Sequence, residues 1–538
     1  MQAFIDHKSN MLKIYFSYSP SVVAEVKRIP GRRFRKTPSP HWIAPFSIDA
    51  VKILQNQNFT LDESLKKVYE KTKNKVEQNG NLIKKSIKTK GLYPFQKDGV
   101  AFFIAKEGNG INGDDMGLGK TVQTVVFLKE YPKALQACIV IPHILIGVWS
   151  NEISKWTSYS YHIAKKRKPS ITQINQAKKA DIIIINYEIL DSWKQHLTHI
   201  KTLILDECHH IKNMKAKRTK AVFHLKTTDK ELSILGLSGT LIKNRPVEAF
   251  PILNLTYPEV FPSFWKYARR YCDAKHTRFG WDFTGASHID ELHDNINNKI
   301  MIRRTKQEVL QELPPKTKTI IKLDISNRNE YNNAENEVRK KLQKTLKEKG
   351  EYKHNAAKQA KALMLFAELR KITAMGKLKE SITWITDALT SGDKLVLYCY
   401  HKKIAQILME KLKEFNPVKI DGDTKNRQEI VDKFQNYKSC KVFIGTLAAT
   451  EGITLTASSN LAFVELFWTP GDMEQAEDRI HRISQENKVN IYYLLAKNTV
   501  DEVIQQMLES KKEVVSQFLD GKSANFDIAT KLIEHYLK

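Results

Sequence analysis

The sequence predicts an α/β protein made of two parallel-sheet lobes with helical insertions, plus a small basic α+β module at the amino terminus. Three observations predict it. From residue 91 onward, short apolar runs that end in small or polar residues alternate with amphipathic segments. That set of runs occurs twice along the chain. The first 90 residues differ from the rest in charge, with 18 Lys+Arg against 7 Asp+Glu, so they hold +11 of the total of +28. The length of 538 residues is too great for one core, since a domain holds roughly 100–200 residues.

The elements follow in order. In residues 1–60, the stretch 13–18 is strand-like, and Val22, Val23, Val26 and Ile29 keep helical spacing until Pro30–Gly31 stop the helix. A hairpin is expected around Pro38, Ser39 and Pro40, with Phe34 and Trp42–Ile43 on its arms, and Ile48, Val51, Ile53 and Leu54 suggest a last short helix. Residues 61–90 are lysine-rich and read as a helix plus a basic linker. Residues 91–300 form the first lobe, with apolar runs at 137–141, 181–185, 202–205 and 234–237. Pro142, Asn186, Asp206 and Ser238 end these runs. Buried parallel strands look like this, with functional loops at their carboxyl ends. Residues 301–320 bridge the lobes. Residues 321–538 form the second lobe, with runs at 394–399, 418–420, 441–444, 461–464 and 490–495, and a Lys- and Ala-rich helical insertion at 330–371.

Composition excludes several classes. Hydrophobic residues are 41% and charged residues 27%, which is ordinary for a soluble globular protein. The net charge of +28 attracts polyanions, with nucleic acid first and an acidic membrane surface second. The longest apolar run, near 137–149, is interrupted by Pro142 and His143 and is too short for a bilayer, which needs ~20 residues. No membrane is expected as partner. The opening MQAFIDHKSNMLK lacks a signal-peptide apolar stretch. Cys138, Cys208, Cys272, Cys399 and Cys440 lie far apart with no CxxC pair, which argues against zinc and disulfides and for a reducing intracellular compartment, cytoplasm or nucleus.

The chemistry-bearing motifs begin with Asp114-Asp115-Met116-Gly117-Leu118-Gly119-Lys120-Thr121. Glycines let backbone N–H groups face phosphates, and a following helix adds its positive end. Lys120 would reach the β and γ phosphates of ATP, and Thr121 would ligate Mg2+. Asp114 stands where the strict pattern has glycine. Asp206 and Glu207 end a buried run and are followed by Cys208-His209-His210. Asp206 would hold magnesium through water, and Glu207 would orient the attacking water. Arg479 and Arg482, three apart and expected on one helical face, would stabilise charge on the transferring phosphoryl group from the opposite lobe. An ATP sandwiched between lobes makes a motor.

With these residues in hand, the chain resembles the superfamily 2 helicase-type motors of the Swi/Snf-like branch. The resemblance covers essentially all of residues 91–515 and implies two RecA-like lobes and translocation on duplex DNA. In Leu92-Tyr93-Pro94-Phe95-Gln96, Gln96 looks like the adenine reader. Ser238-Gly239-Thr240, Gly452 and Gln475 fall at positions that couple the nucleotide to DNA. Pro142, Asn186, Tyr187, Thr446 and Thr450 fall where that family touches the DNA backbone. The stretches 301–306 and 313–316 look like its inter-lobe bridge.

A narrower similarity, through Tyr271-Cys272-Asp273-Ala274-Lys275, 280–287 and 465–471, is to the HARP-type annealing helicases, which rewind strands and remodel branched DNA. The basic module, with Arg32, Arg33 and Arg35 as DNA contacts, looks like a single degenerate HARP unit. Glu451 and Ser484 depart from the family's usual glycines. The partner implied is duplex or branched DNA without sequence specificity, with single-strand-binding or replication proteins as candidate recruiters. A strand-separating DNA or RNA helicase, a non-catalytic DNA-binding scaffold and a chromatin remodeller stay open as alternatives.

Overall fold

The computed structural model describes residues 1–509 except 7–8, 28, 30–31, 38, 240, 242–244, 278–279, 298, 311, 350–355 and 484. Thr240, Ser484 and the turn residues Pro30, Gly31 and Pro38 therefore lie outside the described residues. The chain divides into two compact units, Met1–Glu107 and Gly108–Lys538.

In the first unit, alternating burial makes the sheet. Ala3 and Ile5 of Gln2–Asp6 and Leu12 and Ile14 of Met11–Tyr15 point to one face, and the residues between them point away. The buried face meets Val22 and Val26 of the helix Pro20–Val26, and Val51 and Leu54 of the helix Ile48–Asn56. The strand order is Arg33–Arg35, His41–Pro45, Met11–Tyr15, Gln2–Asp6, Thr60–Leu61. Ser47 and Asp62 start their helices by accepting from backbone N–H groups, Ser47 from Ala50 and Asp62 from Ser64 and Leu65. The helices Glu63–Ser86 and Pro94–Ala105 complete this unit.

The second unit carries two sheets. The first has seven strands, all parallel, in the order Met301–Ile302, Gly110–Asn112, Ser233–Leu237, Thr202–Asp206, Ala137–Ile141, Ile182–Asn186, Tyr161–Ile163. Ile182–Asn186 is buried at every position, because helices cover both faces of a parallel sheet. The edge strand Met301–Ile302 returns beside Gly110–Asn112, and this brings the residues after it alongside the phosphate loop. The second sheet has six parallel strands in the order Lys316–Leu323, Val489–Ala496, Asn460–Phe463, Leu395–Tyr398, Val442–Gly445, Val418–Ile420. The expected insertion is two helices, Arg328–Lys349 and Ala356–Thr390. Among the described residues, no helix is long and apolar enough to cross a membrane.

The short helix Pro470–Glu477 is fixed by its last residue. Glu477 is fully buried and accepts from Lys316 Nζ and Lys318 Nζ, both at 2.6 Å, and from Tyr493 OH at 2.8 Å. Burial alone would raise its carboxyl, but the two ammonium groups outweigh burial and hold it at about 2. Removing one partner of a buried charge cluster costs about 3–5 kcal/mol. Glu477→Gln should therefore lower the melting temperature measured by calorimetry at neutral pH. Because the folded value lies below the unfolded one, the stabilisation is present above pH 4.5 and fades as pH falls toward 2. The gap between wild type and variant should close over that range.

Candidate active site at the phosphate loop

The loop between Gly110–Asn112 and the helix Lys120–Glu130 turns on two left-handed glycines, Gly117 (φ 87°) and Gly119 (φ 77°). Only glycine adopts that backbone without strain. Lys120 curls into the loop and donates to the carbonyls of Asp114 at 2.8 Å and Asp115 at 3.3 Å. Its ammonium therefore already lies inside the concavity that would receive phosphate oxygens.

Asp114 turns away from that concavity. Its carboxylate is fully buried and accepts from Arg304 Nε at 2.9 Å and Gln123 Nε2 at 3.0 Å. Asn112 Oδ1 accepts from the Asp114 N–H at 2.9 Å, and Asn112 Nδ2 donates to Gln123 Oε1 at 3.1 Å. The acid that replaces the pattern's glycine thus fastens the loop from behind and leaves its backbone to face a ligand. Asp115 accepts from the Lys306 N–H at 3.0 Å and donates its own N–H to the Arg304 carbonyl at 3.0 Å. The bridge segment after Met301–Ile302 therefore runs along the loop, a role the motif reading gave only to lobe connection.

Thr202–Asp206 delivers the second half of the site. Asp206 accepts from Trp149 Nε1 at 2.7 Å and from the Glu207 N–H at 2.9 Å. Burial first, then the neighbouring Glu207 charge, raise its carboxyl to about 7, and a cation beside it would reverse that. Glu207 sits in left-handed backbone at φ 48°, a strained conformation of the kind that clusters at functional sites. Its Oε2 accepts from Ser238 Oγ at 3.4 Å and lies 3.2 Å from His209 Nδ1. Gly239 packs so closely that a Cβ there would come within 2.9 Å of Met116 Cγ. Glu207, the residues that follow Ser233–Leu237 and the phosphate loop are thus in direct contact.

Arg479 and Arg482 lie beyond the end of Pro470–Glu477, in turns rather than on the expected helix. Each Nε bonds the carbonyl four residues back, Gln475 at 3.0 Å and Asp478 at 3.1 Å, and the Nη1 atoms reach neighbouring residues, the Ile453 carbonyl at 3.2 Å and Thr454 Oγ1 at 2.7 Å. Arg482 reaches the first lobe, where a Cβ on Gly117 would lie 3.5 Å from its Cγ. Desolvation first, then the Arg479 charge, lower its guanidinium to about 9. Beside it, Lys306 Nζ donates to Asp478 Oδ1 and to the His481 carbonyl, both at 2.7 Å. A second polar link crosses the lobes where ring nitrogens of His209 and His210 and a carboxylate oxygen of Glu451 lie within 4.8 Å of one another. Gly452 abuts Ile144 and Leu145.

Other expected site residues are placed differently. Gln96 Oε1 accepts from the Tyr93 N–H at 3.1 Å and caps its own helix. Tyr187 is buried, and its hydroxyl donates to the Asp206 carbonyl at 2.8 Å, so its side chain supports the strand end at Asp206 and offers no surface to a DNA backbone. Asn186 Oδ1 accepts from the Glu188 and Ile189 N–H groups at 3.1 and 3.2 Å, and Thr450 Oγ1 donates to the Leu447 carbonyl at 2.9 Å. Pro142 and Thr446 are buried too. The exposed residues of these loops are His143, Gly147, Val148, Glu188 and Leu447. Arg33 and Arg35 lie exposed on an edge strand, and Arg32 Nη1 donates to the Ile29 carbonyl at 3.5 Å. Gln475 is 1% exposed, and neither polar atom of its amide has a hydrogen-bond partner among the described residues.

The SNF2-related domain model matches residues 95–377, and the helicase conserved C-terminal domain model matches residues 376–484. The SWI/SNF-related matrix-associated actin-dependent regulator of chromatin subfamily A-like protein 1 of Xenopus laevis is 34% identical over 458 residues, which are 83% of this chain and 46% of that protein. The DNA annealing helicase and endonuclease ZRANB3 of Mus musculus is 32% identical over 459 residues, 82% of this chain and 42% of that protein. The chain thus spans about half the length of these curated relatives. The solved Sulfolobus solfataricus SWI2/SNF2 ATPase core in complex with dsDNA covers 81% of this chain and 94% of its own, at 24% identity and a TM-score of 0.38.

Two substitutions test this geometry. Asp114→Ala strands Arg304 beside the loop, and breaking such a pair costs about 3–5 kcal/mol. A lowered denaturant midpoint together with a raised KM for ATP is expected. Gln475→Met removes an orphaned buried amide, whose burial costs ~1–3 kcal/mol. Its melting temperature should rise while ATP turnover falls.

Proposed function

The chain belongs to the SNF2-related domain family, and on that premise we propose that it is a DNA-dependent ATPase that translocates on duplex DNA and anneals strands or remodels branched DNA. The observation that carries this reading is the seating of Arg482 of the second lobe, and of the bridge residue Lys306 with its partner Asp478, against the phosphate loop of the first. A nucleotide bound there touches both lobes, so hydrolysis changes how they fit.

Lys120 takes the β and γ phosphates, and the backbone N–H groups after Gly117 face them. Thr121 and Asp206 offer an all-oxygen donor set that suits Mg2+, which would draw charge from the phosphates. Glu207 orients the attacking water, and its contacts with Ser238 and His209 pass its state to the coupling strand. Arg479 and Arg482 meet the charge that develops on the transferring group. DNA phosphates meet the exposed rims of the 142–149 and 446–452 loops through backbone N–H groups, and Arg33 and Arg35 add a basic edge. Phosphate contacts of this kind carry no sequence information. The annealing role is supported by the name of the Mus musculus relative, a DNA annealing helicase.

ATPase rate measured without nucleic acid and with single-stranded, duplex, forked DNA or RNA tests the reading. Duplex and forked DNA should stimulate most, and Lys120→Ala should remove about a hundredfold or more of the rate. An unchanged Lys120→Ala rate would overturn the ATPase assignment. Stimulation by RNA above DNA, or efficient strand displacement on forks, would replace it with the helicase reading.

A further inference from the structure

The first lobe carries an aromatic surface that the nucleotide cleft does not use. The helix Phe264–Tyr271 buries Tyr267, Ala268 and Tyr271 and turns Trp265 and Arg269, four residues apart, outward together. The hairpin formed by Lys275–Thr277 and Gly280–Asp282 brings Trp281 against Trp265, with ring centroids 4.9 Å apart at 69°. Phe283 lies under both, 5.6 Å from Trp265 and parallel to Trp281 at 7°. The Arg269 guanidinium lies 6.0 Å from the Trp265 ring centroid and 5.7 Å from that of Trp281. His276 closes on Trp281 edge-on at 5.3 Å.

Of the eight tryptophans, these two are the exposed ones, at 44% and 40%. Phe264 and Phe283 pack against the core of this lobe, whereas Trp265 and Trp281 stand outside it. Folding therefore accounts for the phenylalanines and leaves the indoles unexplained. An open pair of large aromatics marks a binding surface. Its chemistry is specific: two π faces, an adjoining guanidinium, and exposed cations at Lys266 and Lys275, with Lys275 paired to Asp273 at 2.6 Å. A duplex keeps its base faces stacked inside, whereas an unpaired strand presents them. Rings interleaved with cations hold such strands without regard to sequence.

We propose that Trp265, Trp281 and Arg269 form a stacking platform for the unpaired bases of single-stranded DNA, built on elements separate from the nucleotide cleft. The choice of DNA rests on the motor reading given above. The platform gives the motor a grip on the strand that a junction or fork leaves unpaired.

The test uses the full chain and oligo(dT). Adding oligo(dT) to the wild-type protein should quench tryptophan emission and protect it from iodide. In Trp265→Ala/Trp281→Ala, affinity for oligo(dT) and for forks with a single-stranded arm, read by anisotropy, should fall about tenfold or more. Duplex affinity and duplex-stimulated ATPase should hold at wild-type levels. Trp265→Phe/Trp281→Phe, which keeps flat rings over the same floor, should restore most of the affinity and guards against a folding artefact. No quenching, unchanged oligo(dT) affinity in the alanine variant, or an equal loss on duplex would overturn the proposal. So would a shift in oligomeric state by sedimentation, which would mark the surface as a protein interface. If Lys120→Ala leaves ATPase intact while oligo(dT) still quenches, the motor reading fails and the platform stands.

Discussion

Lys306 holds the working geometry together. Its backbone N–H binds Asp115 in the phosphate loop, and its ammonium binds Asp478 and the His481 carbonyl beside Arg482. A lysine taken this far from water keeps its charge only where anions compensate. Desolvation lowers its ammonium, and Asp478 works against that. The loop 114–121 and the segment that carries Arg479 and Arg482 are therefore positioned by one residue. Arg303 and Arg304, just before it, donate to the Gly113 carbonyl and to Asp114. The bridge between lobes is thus also the back wall of the nucleotide site.

Much of this was legible in the sequence, for reasons that differ by residue. Gly117, Gly119 and Lys120 are fixed by local backbone demands, so spacing alone exposes them. Asp206 and Glu207 follow a continuous apolar run whose end must be a strand's carboxyl edge. The alternation of such runs gave both sheets, since burial on two faces leaves no other pattern. Less legible were contacts between residues distant in sequence. Trp149 bonds Asp206 across 57 positions, and Arg304 bonds Asp114 across 190, and nothing local announces either. The one available signal was Asp114 itself, since an acid in a phosphate loop needs a cation to face it.

Motif position also proved a weaker guide than burial. Asn186, Tyr187, Thr446 and Thr450 stand in the loops where contact with a DNA backbone was expected, yet they are buried. Their polar groups shape those loops from within and leave the outer rim to other residues. Arg479 and Arg482 meet neighbouring residues, Ile453 and Thr454, without sharing a helix. The helix that was expected to align them ends at Glu477, before either arginine.

The crossing of the chain between lobes lies at the phosphate loop, not at the outer rim where Gly452 meets Leu145. A covalent crossing acts as a fulcrum. Were the lobes to turn about it on loss of a phosphate contact, atoms beside the loop would move very little while the rim at Gly452 swept a longer arc. Such a motion would make the lobes a lever of small input and large output, with a gear ratio set by where the polypeptide crosses.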